Sequence, residues 1–195
     1  MTDPVAPSLD PRALDPRAID AVFFDFDGVI VESNEVKIEA FREIYAPYGD
    51  DVVARVLEEH LRQEGVSRVV KLERFHREFL GIPLDAAALD ALAARYCALV
   101  EEKVVACAQV PGALAALEAW GAVRPLYVVS GTPQEELRRI VDRRGLARHF
   151  RGVYGSPRVK TEIVGEVLGE TGVAPDRALF VGDSLTDYSA AERSG

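Results

Sequence analysis

The sequence is poor in the side chains that build disulfide frameworks and histidine-based metal sites. Among its 195 residues, two are cysteine and three are histidine. Cys97 and Cys107 are ten positions apart and form no Cys-x-x-Cys pair, and the histidines lack the spacing of metal ligands. These absences argue against a disulfide framework, so we expect a reducing, cytoplasmic compartment.

Long apolar runs are also absent. No stretch approaches the ~18 consecutive apolar residues that a membrane-spanning helix needs. Residues 1–20 are rich in proline and aspartate, whereas a secretory signal needs an apolar run there. We therefore interpret residues 1–20 as a loose leader and expect no membrane partner.

The sequence has fewer basic than acidic residues. The chain has 23 Lys and Arg residues against 32 Asp and Glu residues, which gives a formal net charge of −9. An acidic chain does not hold a polyanion over a wide surface, so nucleic acid is not an expected partner. The sequence also lacks a Gly-x-Gly-x-x-Gly or Walker-type loop, so a nucleotide cofactor has no support.

The sequence does contain an alternation of strand and helix patterns. Hydrophobic residues make up 48% of the chain, enough for a substantial core. Short apolar runs end in small and polar turn residues, and helical patterns follow them. This order predicts an α/β fold with a Rossmann-like parallel sheet. The predicted strands lie at 21–24, 126–129, 152–154 and 178–181, and the predicted core helices at 111–120, 133–144 and 160–171.

A long insertion separates the first two predicted strands. It contains no good strand, and its apolar residues fall on four helical faces, enough to bury a small core of their own. We predict a helical cap subdomain at 32–107 inside an α/β core domain of residues 21–31 and 108–195. The cap helices are expected near 36–48, 52–61, 69–80 and 89–99, with crossing strands near 29–32 and 108–111 as hinges.

Polar side chains that follow the predicted strands form the candidate site. In an open parallel sheet, ligands bind outside the carboxyl ends of the strands, so residues from distant segments should meet there. Several carboxylates in one place repel one another unless a cation lies among them, and hard oxygen ligands suit Mg²⁺. The side chains expected to meet are those of Asp25, Asp27, Ser130, Thr132, Lys160, Asp183 and Asp187.

Four ordered motifs carry a resemblance to a known family. The segment 25–29 (Asp-Phe-Asp-Gly-Val), the strand that ends in Ser130, Lys160, and the segment 182–187 (Gly-Asp-Ser-Leu-Thr-Asp) resemble the motifs of the haloacid dehalogenase-like (HAD) superfamily. The helical insertion resembles the type 1 cap of that family. The resemblance covers nearly the whole chain from Ala21, and it is closest to the branch of phosphoglycolate phosphatases and β-phosphoglucomutases.

The resemblance implies a role for each motif residue. Asp25 would attack phosphorus to form an aspartyl-phosphate, and Asp27 would act as general acid and then as general base. Asp27 would then need a pKa raised by exclusion from water. Lys160 would balance the charge of phosphate and nucleophile. The implied phosphate-binding residues are Ser130, Gly131, Thr132 and Lys160, and the implied Mg²⁺ ligands are Asp25, Asp27 (through its backbone carbonyl), Asp183 and Asp187.

These inferences favour a Mg²⁺-dependent phosphatase of a small phosphorylated metabolite, with Lys37, Lys71 and Arg74 as candidate cap contacts to the substrate. A phosphoglucomutase-like sugar-phosphate mutase uses the same residues, and a phosphonate hydrolase would need a Schiff-base lysine in the cap. A dehalogenase fits less well, because that branch lacks the second aspartate of the first motif. The non-enzymatic alternatives are a signalling module of the receiver type and a degenerate phosphate-binding protein.

The C-terminal end departs from the family pattern. Members of the family usually continue with another helix–strand unit beyond the last motif, whereas this sequence stops at Gly195. We therefore expect a four-stranded sheet in which the strand before Asp183 lies near or at an edge. An exposed hydrophobic edge invites pairing, so a dimer that covers it is one expected arrangement.

Overall fold

A computed structural model describes residues 15–63 and 66–195, and its centre is a four-stranded parallel sheet. The strands are β1 (Ala21–Phe24), β2 (Leu126–Pro133), β3 (Gly152–Ser156) and β4 (Ala178–Val181). They lie in the order β3-β2-β1-β4, and every neighbouring pair is parallel. The predicted α/β fold is confirmed, and β4, the strand before Asp183, lies at an edge as expected.

The central strand β1 is apolar because both of its faces are buried. All four of its side chains are buried, and successive side chains lie on opposite sides of the sheet. Val22 and Phe24 belong to one hydrophobic cluster, whereas Ala21 and Phe23 belong to another. A parallel sheet of this kind is covered by helices on both faces, so its strands lack the polar alternation of a half-exposed strand.

Four helices flank the sheet: α5 (Ala113–Gly121), α6 (Gln134–Arg143), α7 (Lys160–Thr171) and α8 (Leu185–Ser194). Leu117 of α5 and Leu137 of α6 pack in the cluster of Val22. Ile163 of α7 packs in the cluster of Phe23, on the opposite face of the sheet. The predicted alternation of strands and helices is therefore present. The ends of α5 and α6 differ from the predicted ends by one or two residues.

The second strand is longer than the sequence pattern predicted. The prediction placed turn residues after Ser130 and began the next helix at Pro133. Instead residues 130–133 continue β2, and α6 begins at Gln134 with Pro133 as the residue before it. After a register shift beyond Val129, Pro133 pairs with Ser156 of β3. The small and polar residues of this segment resemble a helix start in sequence, but a neighbouring strand draws them into the sheet.

The insertion folds into α1 (Asn34–Tyr45), α2 (Asp50–Arg62), α3 (Arg68–Phe75) and α4 (Ala86–Ala106), and no strand occurs in its described residues. The third helix is shorter than predicted, because a π-helical turn (His76–Leu80) follows it. Phe41 and Tyr96 of the insertion pack in the same cluster as Val22 of β1. In the described residues, the hydrophobic core of the insertion is therefore continuous with that of the sheet, and the subdomain at 32–107 stays a prediction.

Two chain segments connect the insertion to the sheet, and they run side by side. Glu32 N donates to Ala108 O at 2.9 Å, and Val110 N donates to Ile30 O at 3.1 Å. The pairing amounts to isolated bridges rather than to the crossing strands that were predicted. These contacts keep both connections of the insertion next to the carboxyl end of β1.

Arginines of α6 and its C-terminal end hold the insertion against the sheet. Arg139 pairs with Glu101 at 2.8 Å, and Arg143 pairs with Glu102 at 2.6 Å. These exposed pairs contribute little individually. Arg144 donates from Nη1 to three carbonyl oxygens at the end of α4, at 2.7–2.9 Å. These carbonyls have no partner within the helix, so the guanidinium supplies a cap from the core.

Most of the predicted leader, residues 1–14, lies outside the described residues. From residue 15 the chain forms a short 3₁₀ turn (Pro16–Ala18) and then packs on the core. Asp20 N donates to Arg177 O at 2.7 Å, and Arg177 Nη2 donates to Asp20 Oδ1 at 3.0 Å. Across residues 15–63 and 66–195, no helix combines the length and the apolar character that crossing a bilayer would take.

Candidate active site

The carboxyl end of β1 and the first turns of α7 and α8 bring three charged side chains into contact. Lys160 Nζ lies 2.9 Å from Asp25 Oδ2 and donates to Asp187 Oδ1 at 2.5 Å. Each of these side chains is at most 6% exposed. The sheet therefore brings together residues that are more than a hundred positions apart, as the motif order predicted.

The chain turns sharply after Asp25, and a glycine makes the turn possible. Asp25 N donates to Val181 O at 2.9 Å, so the pairing with β4 extends one residue past β1. Gly28 then adopts a φ of +76° while its N–H donates to Val31 O at 2.8 Å. A Cβ at Gly28 would overlap the carboxylate of Asp183. The glycine thus permits both the backbone conformation and the approach of Asp183.

Asp27 contacts a different set of side chains from Asp25. Its carboxylate accepts hydrogen bonds from Ser33 Oγ at 2.5 Å, Thr132 Oγ1 at 3.1 Å and Ser130 Oγ at 3.3 Å. Lys37 of α1 forms an ion pair with the same carboxylate and donates to Thr132 Oγ1 at 3.3 Å. Three hydroxyls and an ammonium therefore converge on one carboxylate.

The expected rise in the pKa of Asp27 is wrong. Burial raises the pKa of this carboxyl, but the Lys37 ammonium and the hydroxyls of Ser33 and Thr132 lower it further than burial raises it. The net result is a pKa below the ordinary aspartate value. The burial of Asp27 was predictable from the sequence, but its countercharge was not, because Lys37 reaches Asp27 from the insertion.

The pKa of Asp25 moves in the opposite direction. Burial raises it most, Lys160 lowers it, and the nearby carboxylates of Asp187 and Asp27 raise it again, so the net shift is upward. Burial lowers the pKa of Lys160, but the two carboxylates beside it raise that pKa above its ordinary value. Lys160 is thus held in its charged form. The ionised form of Asp25 is disfavoured, and further positive charge nearby would stabilise it.

The carboxylates around Asp25 fit a hard divalent cation. One oxygen each from Asp25, Asp183 and Asp187 lies within 4.8 Å of the other two. Burial raises the pKa of Asp183, Asn34 lowers it, and Asp187 raises it, with a net upward shift. Carboxylates this close repel one another, and a hard cation such as Mg²⁺, which takes oxygen ligands and keeps several waters, would relieve that repulsion. Among the described residues, the side chain of Asp27 is not part of this group of three carboxylates. The ligand role implied for its backbone carbonyl stays a prediction.

The end of β2 forms another wall of the site. Ser130 is buried, and its Oγ accepts a hydrogen bond from Thr132 N at 3.1 Å. Gly131 and Thr132 line the cavity in front of Asp25 and Asp27. Gln134 braces this segment, because its side-chain oxygen accepts from Gly155 N of β3 at 2.8 Å. Three of the four predicted phosphate-binding residues, Ser130, Gly131 and Thr132, therefore lie on one supported strand end, whereas Lys160 belongs to the first turn of α7.

Side chains of the insertion cover this cavity. Lys37 and Lys71, two of the three predicted cap contacts, line it. Arg74, the third, is not among its described lining residues, and it pairs instead with two glutamates of the insertion at 2.9 and 3.1 Å. Phe41 and Tyr96 supply aromatic walls. The cavity thus has carboxylates on its core side and basic and aromatic side chains on its cap side.

Ser33, Asn34 and Arg68 are polar residues of the site that were not predicted from the sequence. Ser33 donates to Asp27, Asn34 Nδ2 donates to Asp183 Oδ2 at 3.4 Å, and Arg68 lines the cavity. Ser33 and Asn34 follow the first motif so closely that their hydrogen-bonding side chains were a usable signal. Arg68 lies one helical turn before Lys71 on α3, a spacing that places two basic side chains on one face.

The fold and this site define an α/β enzyme whose acidic, cation-compatible centre lies beneath a helical insertion. The chain belongs to the haloacid dehalogenase-like hydrolase family, whose sequence pattern matches residues 19–195. A phosphoglycolate phosphatase of Rhodospirillum rubrum is 32% identical over 188 residues, with 90% of this chain and 76% of that protein covered. A phosphorylated carbohydrates phosphatase of Thermotoga maritima is 28% identical, with 91% and 82% covered.

Solved structures show the same fold. The crystal structure of a β-phosphoglucomutase from Clostridium difficile superposes with a TM-score of 0.74 at 18% identity, with 90% of this chain and 81% of that chain covered. The family match and the two phosphatases confirm the prediction of a HAD-like enzyme that hydrolyses phosphomonoesters. The resemblance to the branch of phosphoglycolate phosphatases and β-phosphoglucomutases is likewise confirmed.

Proposed function

We propose that this protein is a Mg²⁺-dependent phosphatase of a small phosphorylated metabolite and that Asp25 is its nucleophile. The observation that carries this proposal is the contact of Lys160 with Asp25, which lines a cavity together with Asp27, Gly131 and Thr132. A carboxylate, a fixed ammonium and hydrogen-bond donors at one place are the parts that phosphoryl transfer needs.

The end of β2 and Lys160 would hold the phosphoryl group. The hydroxyls of Ser130 and Thr132 donate to Asp27 in the structure, so a bound phosphate would compete with Asp27 for these donors. Lys160 would offset the charge of a phosphoryl oxygen as it offsets that of Asp25. Bound Mg²⁺, held by Asp25, Asp183 and the backbone carbonyl of Asp27, would supply Lewis-acid stabilisation of the phosphoryl oxygens.

In the proposed first step, an Asp25 oxygen attacks phosphorus and the bond to the ester oxygen breaks. The leaving alkoxide takes a proton from Asp27, and Asp25 carries the phosphoryl group as an acyl phosphate. In the second step, Asp27 removes a proton from water while the water oxygen attacks phosphorus. The bond to Asp25 then breaks, which releases inorganic phosphate and restores both aspartates.

Lys37 bears on both steps because it sets the charge of Asp27. With Lys37 in contact, Asp27 is held as a carboxylate, the form that accepts a proton from water. The first step needs the protonated form, so we propose that an anionic substrate draws Lys37 away from Asp27. Movement of the insertion that carries Lys37 would give Asp27 its acid form only when substrate is present.

A panel of phosphate esters tests the proposal. We expect phosphate release that needs Mg²⁺, stops with chelator and falls at least ~10³-fold in Asp25→Asn. Asp90→Asn, an exposed aspartate on α4, is the matched control and should keep full activity. Mass spectrometry of acid-quenched enzyme should show one added phosphoryl group on the peptide that contains Asp25.

Other products would point to the alternatives. Isomerisation of a sugar phosphate without net phosphate release would identify a mutase. Turnover in Asp25→Asn at the wild-type rate would refute covalent catalysis by Asp25. Hydrolysis that is unchanged by chelator would refute the metal site.

A further inference from the structure

The three carboxylates of the cation-compatible group differ in how firmly they are held. Asp25 and Asp187 are buried, and Lys160 contacts both of them. Asp183 is the exposed member of the group and lies on the loop that follows β4. An exposed aspartate samples several side-chain rotamers, and fixing one of them for a metal ion costs conformational entropy. A neighbour that holds the Asp183 carboxylate in place would therefore strengthen cation binding.

A residue of the insertion contacts Asp183 directly. Asn34 Nδ2 donates to Asp183 Oδ2 at 3.4 Å, although the two residues are 149 positions apart. Both side chains line the active-site cavity. An amide N–H is a neutral donor, so it orients a carboxylate without cancelling its charge. Asp183 thus keeps the negative charge that a cation needs, whereas Asp27 is paired with the ammonium of Lys37.

The absence of a side chain at Gly28 makes room for this contact. A Cβ built on Gly28 would overlap Oδ2 of Asp183 and would lie 2.6 Å from Asn34 Nδ2. The donor and the acceptor therefore meet in the space beside the Gly28 Cα, at a distance that only a glycine permits. The Gly28 backbone restricts the Asp183 carboxylate on one side, and the Asn34 amide restricts it on another.

Asn34 is itself well placed to orient another residue, because its neighbours in the chain are anchored to the site. It is the first residue of α1 and directly follows Ser33, whose Oγ donates to Asp27 at 2.5 Å. Lys37, three residues further along the same helix, forms an ion pair with Asp27. The start of α1 therefore contacts Asp27 after β1 and Asp183 after β4, and Asn34 makes the second of these contacts.

We propose that Asn34 is a positioning residue for Asp183 and that it raises the affinity of the site for Mg²⁺. This inference rests on the proposed function, because it assumes that Asp183 is a ligand of the bound cation. Asn34 acts through Asp183 and not on the reacting atoms. Removal of a hydrogen-bond partner of a metal ligand typically weakens metal binding by about 10- to 100-fold. We expect about three- to tenfold here, because this hydrogen bond is long and exposed.

Titration calorimetry with MgCl₂ on chelator-treated protein measures this affinity without a substrate. Asn34→Leu removes the donor but keeps the side-chain volume, and its Kd for Mg²⁺ should be about three- to tenfold higher than that of the wild type. Asn34→Ser should show the same increase, because its hydroxyl is too short to reach Asp183 but keeps a polar side chain at the helix start. Glu39→Gln, an exposed residue of α1, is the control and should keep the wild-type Kd.

The dependence of turnover on Mg²⁺ provides a second readout. In both Asn34 variants, the Mg²⁺ concentration for half-maximal phosphate release should rise by the same factor as the Kd. The kcat at saturating Mg²⁺ should change by less than about threefold, because the filled site has the same ligands. A kcat that falls tenfold or more at saturating Mg²⁺, with an unchanged Kd, would contradict a positioning role.

The calorimetric result separates this inference from the proposed function. Weaker Mg²⁺ binding in both Asn34 variants would support the positioning role even if no phosphate ester is hydrolysed. Equal Kd values for the wild type and both variants would overturn it, whatever the activity panel shows. A lower melting temperature in chelator with an unchanged Kd would also overturn it, because Asn34 would then contribute only to the stability of the fold.

Discussion

Lys160 is the residue whose removal most directly tests the account of the buried charges. It is the ammonium between Asp25 and Asp187, and all three side chains are almost fully buried. Lys160→Met keeps much of the apolar stem but leaves two carboxylates facing each other without their shared countercharge. Breaking a buried ion pair in this way costs about 3–5 kcal/mol of unfolding free energy. We expect a loss of that size in chelator at about pH 8, measured by urea unfolding.

The pH dependence of this loss has a definite sign. Without Lys160, the pKa of Asp25 in the folded protein should rise further above its unfolded value. A carboxyl with a raised pKa destabilises the fold increasingly as the pH rises, because the folded state then binds more protons than the unfolded state. The deficit of Lys160→Met should therefore be largest near about pH 8 and smaller near about pH 5. Added Mg²⁺ should also reduce it, since a cation among the carboxylates replaces part of the lost charge.

Lys103→Met is the matched control, because Lys103 is exposed on α4. It should change the unfolding free energy by less than about 0.5 kcal/mol. A loss for Lys160→Met no larger than that of the control would refute the reasoning. A loss of equal size at both pH values would show that packing, rather than charge, is what Lys160 contributes.

Two further predictions concern the turn after β1 and the insertion. Gly28→Ala should lower the melting temperature and weaken the stabilisation of the fold by Mg²⁺, because a Cβ there would displace Asp183. Gly145→Ala is the control, because Gly145 has a φ of +67° and open space around it. This control should add only backbone strain of about 1 kcal/mol and leave the response to Mg²⁺ intact. Burial and the Lys71 ammonium lower the pKa of His60 to about 3, so its neutral ring contributes stability above about pH 6.5 that is lost as the pH falls. Between about pH 7.5 and 5, the unfolding free energy of the wild type should fall by about 2 kcal/mol more than that of His60→Gln, and parallel pH profiles would contradict this account.

The order of strands and helices could be read from the sequence because buried parallel strands must be apolar on both faces. The run 21–24 is one such segment, and all four of its residues are buried. The pattern failed at 130–133, where Ser, Gly, Thr and Pro resemble a helix start. Pairing of Pro133 with Ser156 of β3 is a long-range contact, and local propensity carries no information about it.

The convergence of Asp25, Lys160 and Asp187 was also predictable, because the carboxyl ends of parallel strands meet at one edge of the sheet. The partners contributed by the insertion were only partly predictable. Its four helices could be recognised by their periodicity, but periodicity does not tell which apolar face packs against which neighbour. Lys37 and Lys71 therefore could not be separated from Arg74 until the helices were placed.

The sequence by itself determined the fold class, the chain segments that form the sheet and the acidic residues at its edge, because these follow from local patterns of polarity. Only the tertiary structure decided the charge state of those residues. Burial and countercharges from distant segments act over a few ångströms, which is why Asp25 and Asp27, two positions apart, have pKa values shifted in opposite directions.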